Sequence, residues 1–301
     1  MTRELAGLRL DQALARLLPQ YSRNRIADWV RHERVRVRGA TAKPKQKVWG
    51  GERVRIEPEV DPMTTAFAPE PGRLVIAYED DQLLIIDKPA GLVVHPGSGN
   101  WGGTMLNALL HHSPQLAHVP RAGIVHRLDK DTSGLLAVAK TVTAQIHLVR
   151  QLAARTVGRT YHALVIGDIE HGARIDAPIG RHPVHRTRMA VIRSGREART
   201  SYRPLERFGS ATLLECKLDT GRTHQIRVHL ASIGHPLLGD PVYGRRDTAL
   251  AAEIAQLKRQ ALHAQRLELE HPVSGRRLAW LSPLPRDLER VLASLRAGDA
   301  R

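Results

Sequence analysis

The sequence has one cysteine and no long apolar run, and each of these absences narrows the class of protein. Cys216 is the single cysteine among 301 residues, so an internal disulfide and a CxxC zinc or redox pair are both excluded. Every apolar stretch is shorter than the roughly 18 residues that a membrane helix needs. Arg and Asp interrupt the leucines of residues 1–18, unlike the apolar core of a signal peptide. We therefore expect a cytoplasmic protein without a membrane partner.

The sequence also lacks a nucleotide-binding P-loop and a histidine motif for a metal. The chain contains no GxxxxGK[ST], the loop that cradles nucleotide phosphates. Its 16 histidines include no HExxH, and His224 and His229 are five residues apart, which places them on different faces of a helix. A histidine-based metal hydrolase is therefore a minor alternative, and it predicts loss of activity with EDTA.

Positive charge is what the sequence has in excess. Lys and Arg total 46 against 30 Asp and Glu, a net charge of +16 at pH 7. This excess favours a polyanionic partner, with nucleic acid as the leading candidate. Residues 1–60 are the denser part, with 14 Lys and Arg against 7 Asp and Glu.

Two short helices and a small basic sheet are predicted within these sixty residues. Leucines and alanines recur at helical spacing from Leu10 to Leu18, and Pro19 ends the run. Ser22 is a good N-cap for a second helix over residues 23–32. Apolar and cationic residues then alternate over 35–38 and 53–56, as they do in half-buried strands.

Residues 8–58 resemble the S4 RNA-binding domain. Leu10-Asp11, Ser22-Arg23 before a helix, and the strand from Val35 to Gly39 carry the resemblance. It implies that this segment contacts RNA phosphates. The residues by themselves also allow a basic surface that only keeps the protein soluble.

The stretch that follows is rich in proline, at positions 58, 62, 69 and 71, and shows little periodicity. It predicts a linker over residues 59–72 and a second domain over 73–301. Strand patterns in that domain cover 74–76, 83–86, 135–139, 162–166 and 211–218, with helical patterns at 105–111, 144–154 and 223–232. This irregular mixture predicts an α+β fold around a large, mostly antiparallel mixed sheet.

One connection between two apolar runs contains a cluster of charged residues. It runs from Gly123 to Gly134 as GIVHRLDKDTSG. In an extended chain Arg127 and Asp129 project to the same side, and a carboxylate near cations stays ionised and can serve as a nucleophile. The residues also allow a local role, in which Asp129 or Asp131 caps the turn through backbone hydrogen bonds.

Two further places offer candidate side chains. Residues 221–230, GRTHQIRVHL, predict a helix capped by Thr223 and ended by Gly234, with a buried stripe of Ile226, Leu230 and Ile233. His224 and Arg227 share a face and either point into a site or lie in solvent. Tyr161, at the start of an apolar strand, offers either a stacking surface for a base or an ordinary half-buried ring.

Together these segments resemble the RluA-type family of pseudouridine synthases over about residues 73–285. The nine residues from His126 to Gly134, HRLDKDTSG, match the family signature. Supporting segments are residues 87–91, 221–230 and 234–244. Residues 93–97, 106–110 and 119–123 look most like the D-type subgroup, which acts on the large ribosomal subunit.

The resemblance implies an isomerase that converts uridines in RNA to pseudouridine, with Asp129 as the catalytic carboxylate. It also implies that Arg227 pairs with that carboxylate, that Tyr161 stacks on the base, and that Arg127 fills the gap left by a flipped base. The reaction is neither redox nor hydrolytic, so no cofactor or metal is expected. The expected partner is structured RNA, 23S ribosomal RNA or its precursor. A non-catalytic RNA-binding or ribosome-assembly protein of the same fold is the alternative.

Overall fold

The computed structural model of the protein describes residues 1–43, 45–58, 66–97, 99–245, 250, 255 and 257–299. The chain divides into two compact units, Met1–Thr65 and Ala66–Arg301. The domain bounds inferred from the sequence remain predictions, and residues 59–65 of the expected linker lie outside the described residues.

The first unit has the two helices and the small sheet that the sequence predicts. Its elements are α1 (Leu10–Leu17), α2 (Arg23–Arg31), β1 (Val35–Val37), β2 (Ala40–Thr41) and β3 (Val54–Ile56). The Ser22 hydroxyl accepts a hydrogen bond from the Arg25 amide at 3.3 Å, as an N-cap does. β1 pairs antiparallel with β2 and with β3, and Arg36 lies opposite Arg55 with both side chains exposed. The alternation of valine and arginine therefore gives a sheet with a buried apolar face and an exposed basic face.

The second unit contains four helices and eleven strands among its described residues. Its elements are β4 (Ile76–Glu79), β5 (Leu83–Lys88), α3 (Met105–His112), β6 (Ser133–Ala139), α4 (Val142–Ala153), β7 (Gly158–Ile166), β8 (Ala173–Asp176), β9 (Ile179–Arg181), β10 (Met189–Val191), β11 (Arg199–Arg207), β12 (Ala211–Leu218), α5 (Gln225–Ser232), β13 (Leu262–Glu270), β14 (Arg277–Leu281) and α6 (Arg286–Asp299).

Nine of these strands form one sheet within the described residues, which confirms the predicted α+β class. The order is β4-β5-β6-β13-β7-β12-β11-β8, and β14 pairs with the second half of β13. Every pairing is antiparallel except that of β6 with the start of β13, where Ala264 lies opposite Gly134. β9 and β10 form a separate hairpin. β13 comes late in the chain yet lies between β6 and β7.

The centre of the sheet is buried on both faces. Leu84 and Ile86 of β5 pack in one apolar cluster with residues of α3 and α5, whereas Leu83 and Ile85 pack in another with α4. The helix α6 packs its leucines and Val291 against β7 and β12. Burial on both faces explains why β5 and β6 contain continuous apolar runs rather than an alternating pattern.

Two kinds of sequence prediction were wrong. Six strands were missed: β8, β9, β10, β11, β13 and β14. Strands β8, β11 and β13 mix apolar with polar and charged residues, whereas β9, β10 and β14 are only three to five residues long. The helix predicted to begin after Thr223 begins at Gln225, since His224 adopts a left-handed conformation with φ of 57° and interrupts it. Ile233, expected in the buried stripe, is 38% exposed.

The last glycine of the HRLDKDTSG segment generates the first testable prediction. Gly134 has φ of +109°, and a Cβ there would lie 2.2 Å from the Ala264 carbonyl oxygen on β13. We expect Gly134→Ala to lower the free energy of unfolding by about 3 kcal/mol, because backbone strain and overpacking add. Gly209 also has a positive φ, of +64°, with nothing within 4 Å of the added methyl, so Gly209→Ala should cost only about 1 kcal/mol. Equal losses in urea unfolding would contradict a special close approach at Gly134.

Candidate active site

The charged connection before β6 borders a cavity in the second unit. Ile124 forms an isolated bridge with Val138, and the chain then runs back to enter β6 at Ser133. The cavity has a volume of about 770 Å³ and is lined by this connection, by the first half of β7 and by residues 218–226. The sheet thus brings together segments that are almost 100 residues apart in the sequence.

Asp129 lies in this cavity and is held by an arginine behind it. Arg227 of α5 donates from Nη1 to Asp129 Oδ2 at 3.0 Å. The Arg227 side chain is 5% exposed, and it does not belong to the set of described residues that line the cavity. The Asp129 side chain is 15% exposed. Arg227 therefore orients the carboxylate from behind and leaves it accessible from the cavity.

A second carboxylate completes the arrangement. Arg227 donates from Nε and Nη2 to the two oxygens of Asp240, at 2.7 Å and 2.9 Å. Asp240 Oδ1 also accepts from the amides of Val242 and Tyr243. Burial by itself would raise the pKa of Asp240, but its hydrogen bonds and the charge of Arg227 hold it below the ordinary value of 3.8. Asp240 is therefore an anion fixed to the backbone, and it positions Arg227.

His224 and Tyr243 complete the surroundings of Asp129 and Arg227. His224 Nε2 is 3.9 Å from Asp129 Oδ1, and its Nδ1 is 2.8 Å from the Tyr243 hydroxyl. The Tyr243 ring lies under the Arg227 guanidinium, 5.1 Å from ring centre to carbon. Burial lowers the pKa of His224, and Asp129 opposes that shift. The sequence allowed His224 and Arg227 either to point into a site or to lie in solvent. The structure places both of them in the site.

Lys88 holds the backbone immediately after Asp129. Its fully buried ammonium donates to the Lys130 carbonyl at 2.8 Å, and to two carbonyls of its own loop, those of Pro89 and Leu92. Burial lowers the pKa of Lys88 to about 7, although Asp131 and Asp129 act to raise it. The lysine therefore fixes the loop through carbonyl groups rather than through a carboxylate.

Arg259 supports the next residue of the loop. It donates from Nη1 to the Asp131 carbonyl at 3.1 Å, while Nε and Nη2 bind Asp287 at the start of α6. The neighbouring Gln260 donates to the Thr132 hydroxyl at 3.1 Å. The loop that presents Asp129 is consequently tied to β5, to the segment before β13 and to the last helix.

The turn-capping interpretation of Asp129 does not match these contacts. Its carboxylate is engaged by Arg227, and within the described part of the chain it makes no hydrogen bond to the backbone of its own turn. The turn is instead closed by the amide of Thr132 and the carbonyl of Asp129, 3.1 Å apart. The side chain is thus free of a local structural task.

The remaining predicted residues also line the cavity. Tyr161 on β7 is 6% exposed. Burial raises the pKa of its hydroxyl, the charge of Arg159 lowers this pKa by a smaller amount, and the charge of Asp129 raises it further. Arg127 is exposed at the cavity wall. Five arginines line the cavity against two aspartates, Asp129 and Asp219, so its walls attract an anionic ligand.

Sequence reasoning placed Asp129, Arg127, Tyr161 and Arg227 in one site but missed the residues that fix them. Asp240 lies in a segment that was quoted only as a match, and nothing in its spacing indicated a partner 13 residues away. Lys88 and Arg259 gave no signal of burial, because lysine and arginine are mostly exposed. Among the described residues, no group of three or more His, Cys, Asp or Glu is arranged to hold a metal ion.

Comparison with known proteins gives two family matches. The model described as RNA pseudouridylate synthase matches residues 82–232, and the model of the S4 domain matches residues 8–54. Two human structures are similar in fold. RNA Pseudouridylate Synthase Domain Containing 1 has a TM-score of 0.56 at 27% identity, over 76% of this chain and 98% of that one. RNA Pseudouridylate Synthase Domain Containing 4 has a TM-score of 0.59 at 25% identity, over 73% of this chain and 92% of that one.

Curated relatives match over nearly the whole chain. The Ribosomal large subunit pseudouridine synthase D of Nitrosomonas europaea is 62% identical, over 97% of this chain and 86% of the relative. The proteins of the same name from Pseudomonas aeruginosa and Escherichia coli are each 52% identical over 97% of this chain, and over 93% and 91% of their own lengths.

The buried ion pairs of Arg227 generate a prediction on stability and pH. Asp240→Asn leaves the guanidinium with a weaker partner, so we expect the free energy of unfolding at pH 7 to fall by about 3 kcal/mol. Because the folded-state pKa of Asp240 lies below 3.8, its contribution is present above that value and is lost as the pH falls through the folded pKa. The difference from wild type should therefore shrink below pH 3.8 in urea unfolding. Asp81→Asn, at an exposed position, is the control and should leave stability nearly unchanged; a constant difference at all pH values would contradict the prediction.

Proposed function

Because this chain belongs to the family of RNA pseudouridylate synthases, we propose that it converts specific uridines of 23S ribosomal RNA, in the large subunit or its precursor, to pseudouridine. The substrate class follows the names of its relatives, which match almost its whole length. One observation carries the proposal: a carboxylate, Asp129, is held by Arg227 at the wall of an arginine-lined cavity beside Tyr161.

The reaction is an isomerisation that this site can support without a cofactor. The bond between N1 of uracil and C1′ of ribose breaks, and a bond between C5 and C1′ forms. C5 loses its hydrogen as a proton, and N1 gains one, so atoms and charge balance. Detachment of the base requires a nucleophile or a negative charge beside the sugar and the ring, which Asp129 supplies. The cavity then retains the freed uracil while it turns.

Each of the other predicted residues has a role that fits its place. A base within a helix must be flipped into the cavity, at a cost of a few kcal/mol. Tyr161, on the buried floor, offers a ring on which the flipped uracil stacks. Arg127, exposed at the wall, is placed to fill the gap that the base leaves in the RNA. Arg227 has no access to the cavity and acts as a positioning residue for Asp129.

The first unit supplies contacts to RNA backbone in this proposal. On its sheet Arg36 and Arg55 lie side by side, and lysines 43, 45 and 47 are exposed on the following segment. Such a surface binds phosphates without reading sequence. It increases the affinity for rRNA, while the second unit performs the chemistry.

We place the protein in the cytoplasm. Cys216 is a free, buried thiol, which fits a reducing compartment in which ribosomal RNA is available. None of the described helices combines the length and the apolar character that a membrane crossing requires.

The role of Asp129 is tested by Asp129→Asn. The substitution keeps the size of the side chain but removes its negative charge, so we expect loss of essentially all pseudouridine formation with RNA binding retained. Single-turnover release of tritium from C5 of labelled uridine in 23S rRNA fragments measures the turnover. Filter binding measures the affinity for RNA, and the melting temperature shows whether the variant is folded.

Asp131→Asn is the matched control, since it lies in the same loop but does not line the cavity. It should keep substantial activity. Tritium release by Asp129→Asn at a rate near that of wild type would overturn the catalytic role of Asp129. RNA binding by the wild-type protein without any pseudouridine in carbodiimide mapping would favour the non-catalytic alternative.

The role of the first unit is tested by a double substitution, Arg36→Gln with Arg55→Gln. Each phosphate contact that is lost should reduce the slope of log K against log salt by about 0.9. We expect weaker binding of 23S rRNA fragments and a slope smaller by about 2, measured by filter binding at several salt concentrations. Arg36→Lys with Arg55→Lys keeps both charges and should keep the slope. A slope that the Gln substitutions leave unchanged would show that this face does not bind phosphates.

A further inference from the structure

Arg159 is a buried cation inside the candidate active site. It lies on β7, two residues before Tyr161, and lines the same cavity. The residue is 8% exposed. Residues i and i+2 of a strand share a face and are about 7 Å apart, so Arg159 and Tyr161 border the cavity within the span of a single nucleotide.

The Arg159 guanidinium has almost no partner in the protein. Its Nε is buried and makes no hydrogen bond, and Nη2 makes one long bond of 3.5 Å to the Leu218 carbonyl. Two other arginines of the described chain are as deeply buried, and each has a carboxylate: Arg227 has Asp129 and Asp240, and Arg259 has Asp287. Burial of a charge without an opposite charge is costly, so the exception at Arg159 calls for an anion from outside the protein.

The surroundings keep this cation unpaired and open. A Cβ on Gly221 would lie 2.7 Å from Arg159 Nη1, so glycine at this position leaves room beside the guanidinium. His126 lies close enough for Arg159 to affect it: burial, followed by the charge of Arg159, lowers the pKa of His126 to about 3. That histidine is neutral at pH 7, and its Nε2 accepts from the Ala137 amide. It therefore neither adds a charge nor satisfies the guanidinium.

We infer that Arg159 binds a phosphodiester group next to the target uridine and so anchors the flipped nucleotide while Tyr161 supports its base. The inference rests on the proposed function. Uracil and ribose are neutral, and among the parts of an RNA nucleotide only the phosphate can compensate a buried positive charge. Arginine also matches the geometry of phosphate oxygens with two parallel hydrogen bonds.

The test combines a change in the protein with a change in the RNA. Wild type and Arg159→Gln are each measured on rRNA fragments in which one phosphate, on the 5′ or the 3′ side of the target uridine, is an uncharged methylphosphonate. With wild type, one of the two positions should reduce single-turnover efficiency by about tenfold or more, the usual effect of a charged hydrogen bond. With Arg159→Gln, the same RNA change should have almost no additional effect, because the partner is already missing.

Arg155→Gln is the matched control. Arg155 lines the same cavity but is partly exposed and pairs with Glu197 at 2.9 Å. Its substitution should combine additively with both methylphosphonates. We also expect the melting temperature of Arg159→Gln to equal or exceed that of wild type, since an uncompensated buried charge is removed.

Gly221→Ala can replace Arg159→Gln in this comparison of protein and RNA changes. It keeps the arginine, but the new methyl group displaces the guanidinium. It keeps the inference testable if Arg159→Gln fails to fold. Additive effects of the protein and RNA changes at both flanking phosphates would overturn the inference. A wild-type protein that forms no pseudouridine on unmodified rRNA fragments would instead overturn the proposed function, so the two failures are distinguishable.

Discussion

Arg227 lies between Asp129 and Asp240, and the geometry of the candidate site depends on this buried guanidinium. Asp240 is fixed by two backbone amides, so the arginine that it binds has one orientation. Asp129 takes its position from that arginine. The three charges sum to minus one, and the excess lies on the carboxylate that faces the cavity. A charge group of this kind is costly to bury, and it provides a preorganised anion. Removal of one partner is nevertheless destabilising, because the charge that remains is left buried without compensation.

The sequence predicted those parts of the molecule that depend on local patterns. Ser22 begins α2, the apolar runs at 83–86 and 135–139 are central strands, and the match at residues 126–134 located Asp129. It failed where the signal was not local. β11 carries charged residues along its length and a proline at a bulge, so it resembles a loop in the sequence. His224 adopts a left-handed conformation that the pattern of a helix does not reveal.

The residues of the candidate site also fall into those that the sequence could indicate and those that it could not. Asp129 and Arg227 are 98 residues apart, and only the resemblance to a family indicated that they pair. Asp240, Lys88 and Arg259 are charged residues whose partners are set by the folded chain. A sequence shows that such residues are present but not that they are buried, because burial of a charge becomes possible only after its partners are in place.

The place of β13 also has a consequence for the order in which the protein becomes functional during its synthesis. Strands β6 and β7 are made early, but the strand between them comes about 100 residues later, and Asp287, which holds Arg259 against the loop of Asp129, later still. The nascent chain therefore carries an incomplete sheet while the roughly 100 residues between β7 and β13 are made, at about 5–20 residues per second. The contacts that support the loop of Asp129 are therefore complete only after the segment that contains Asp287 has been made.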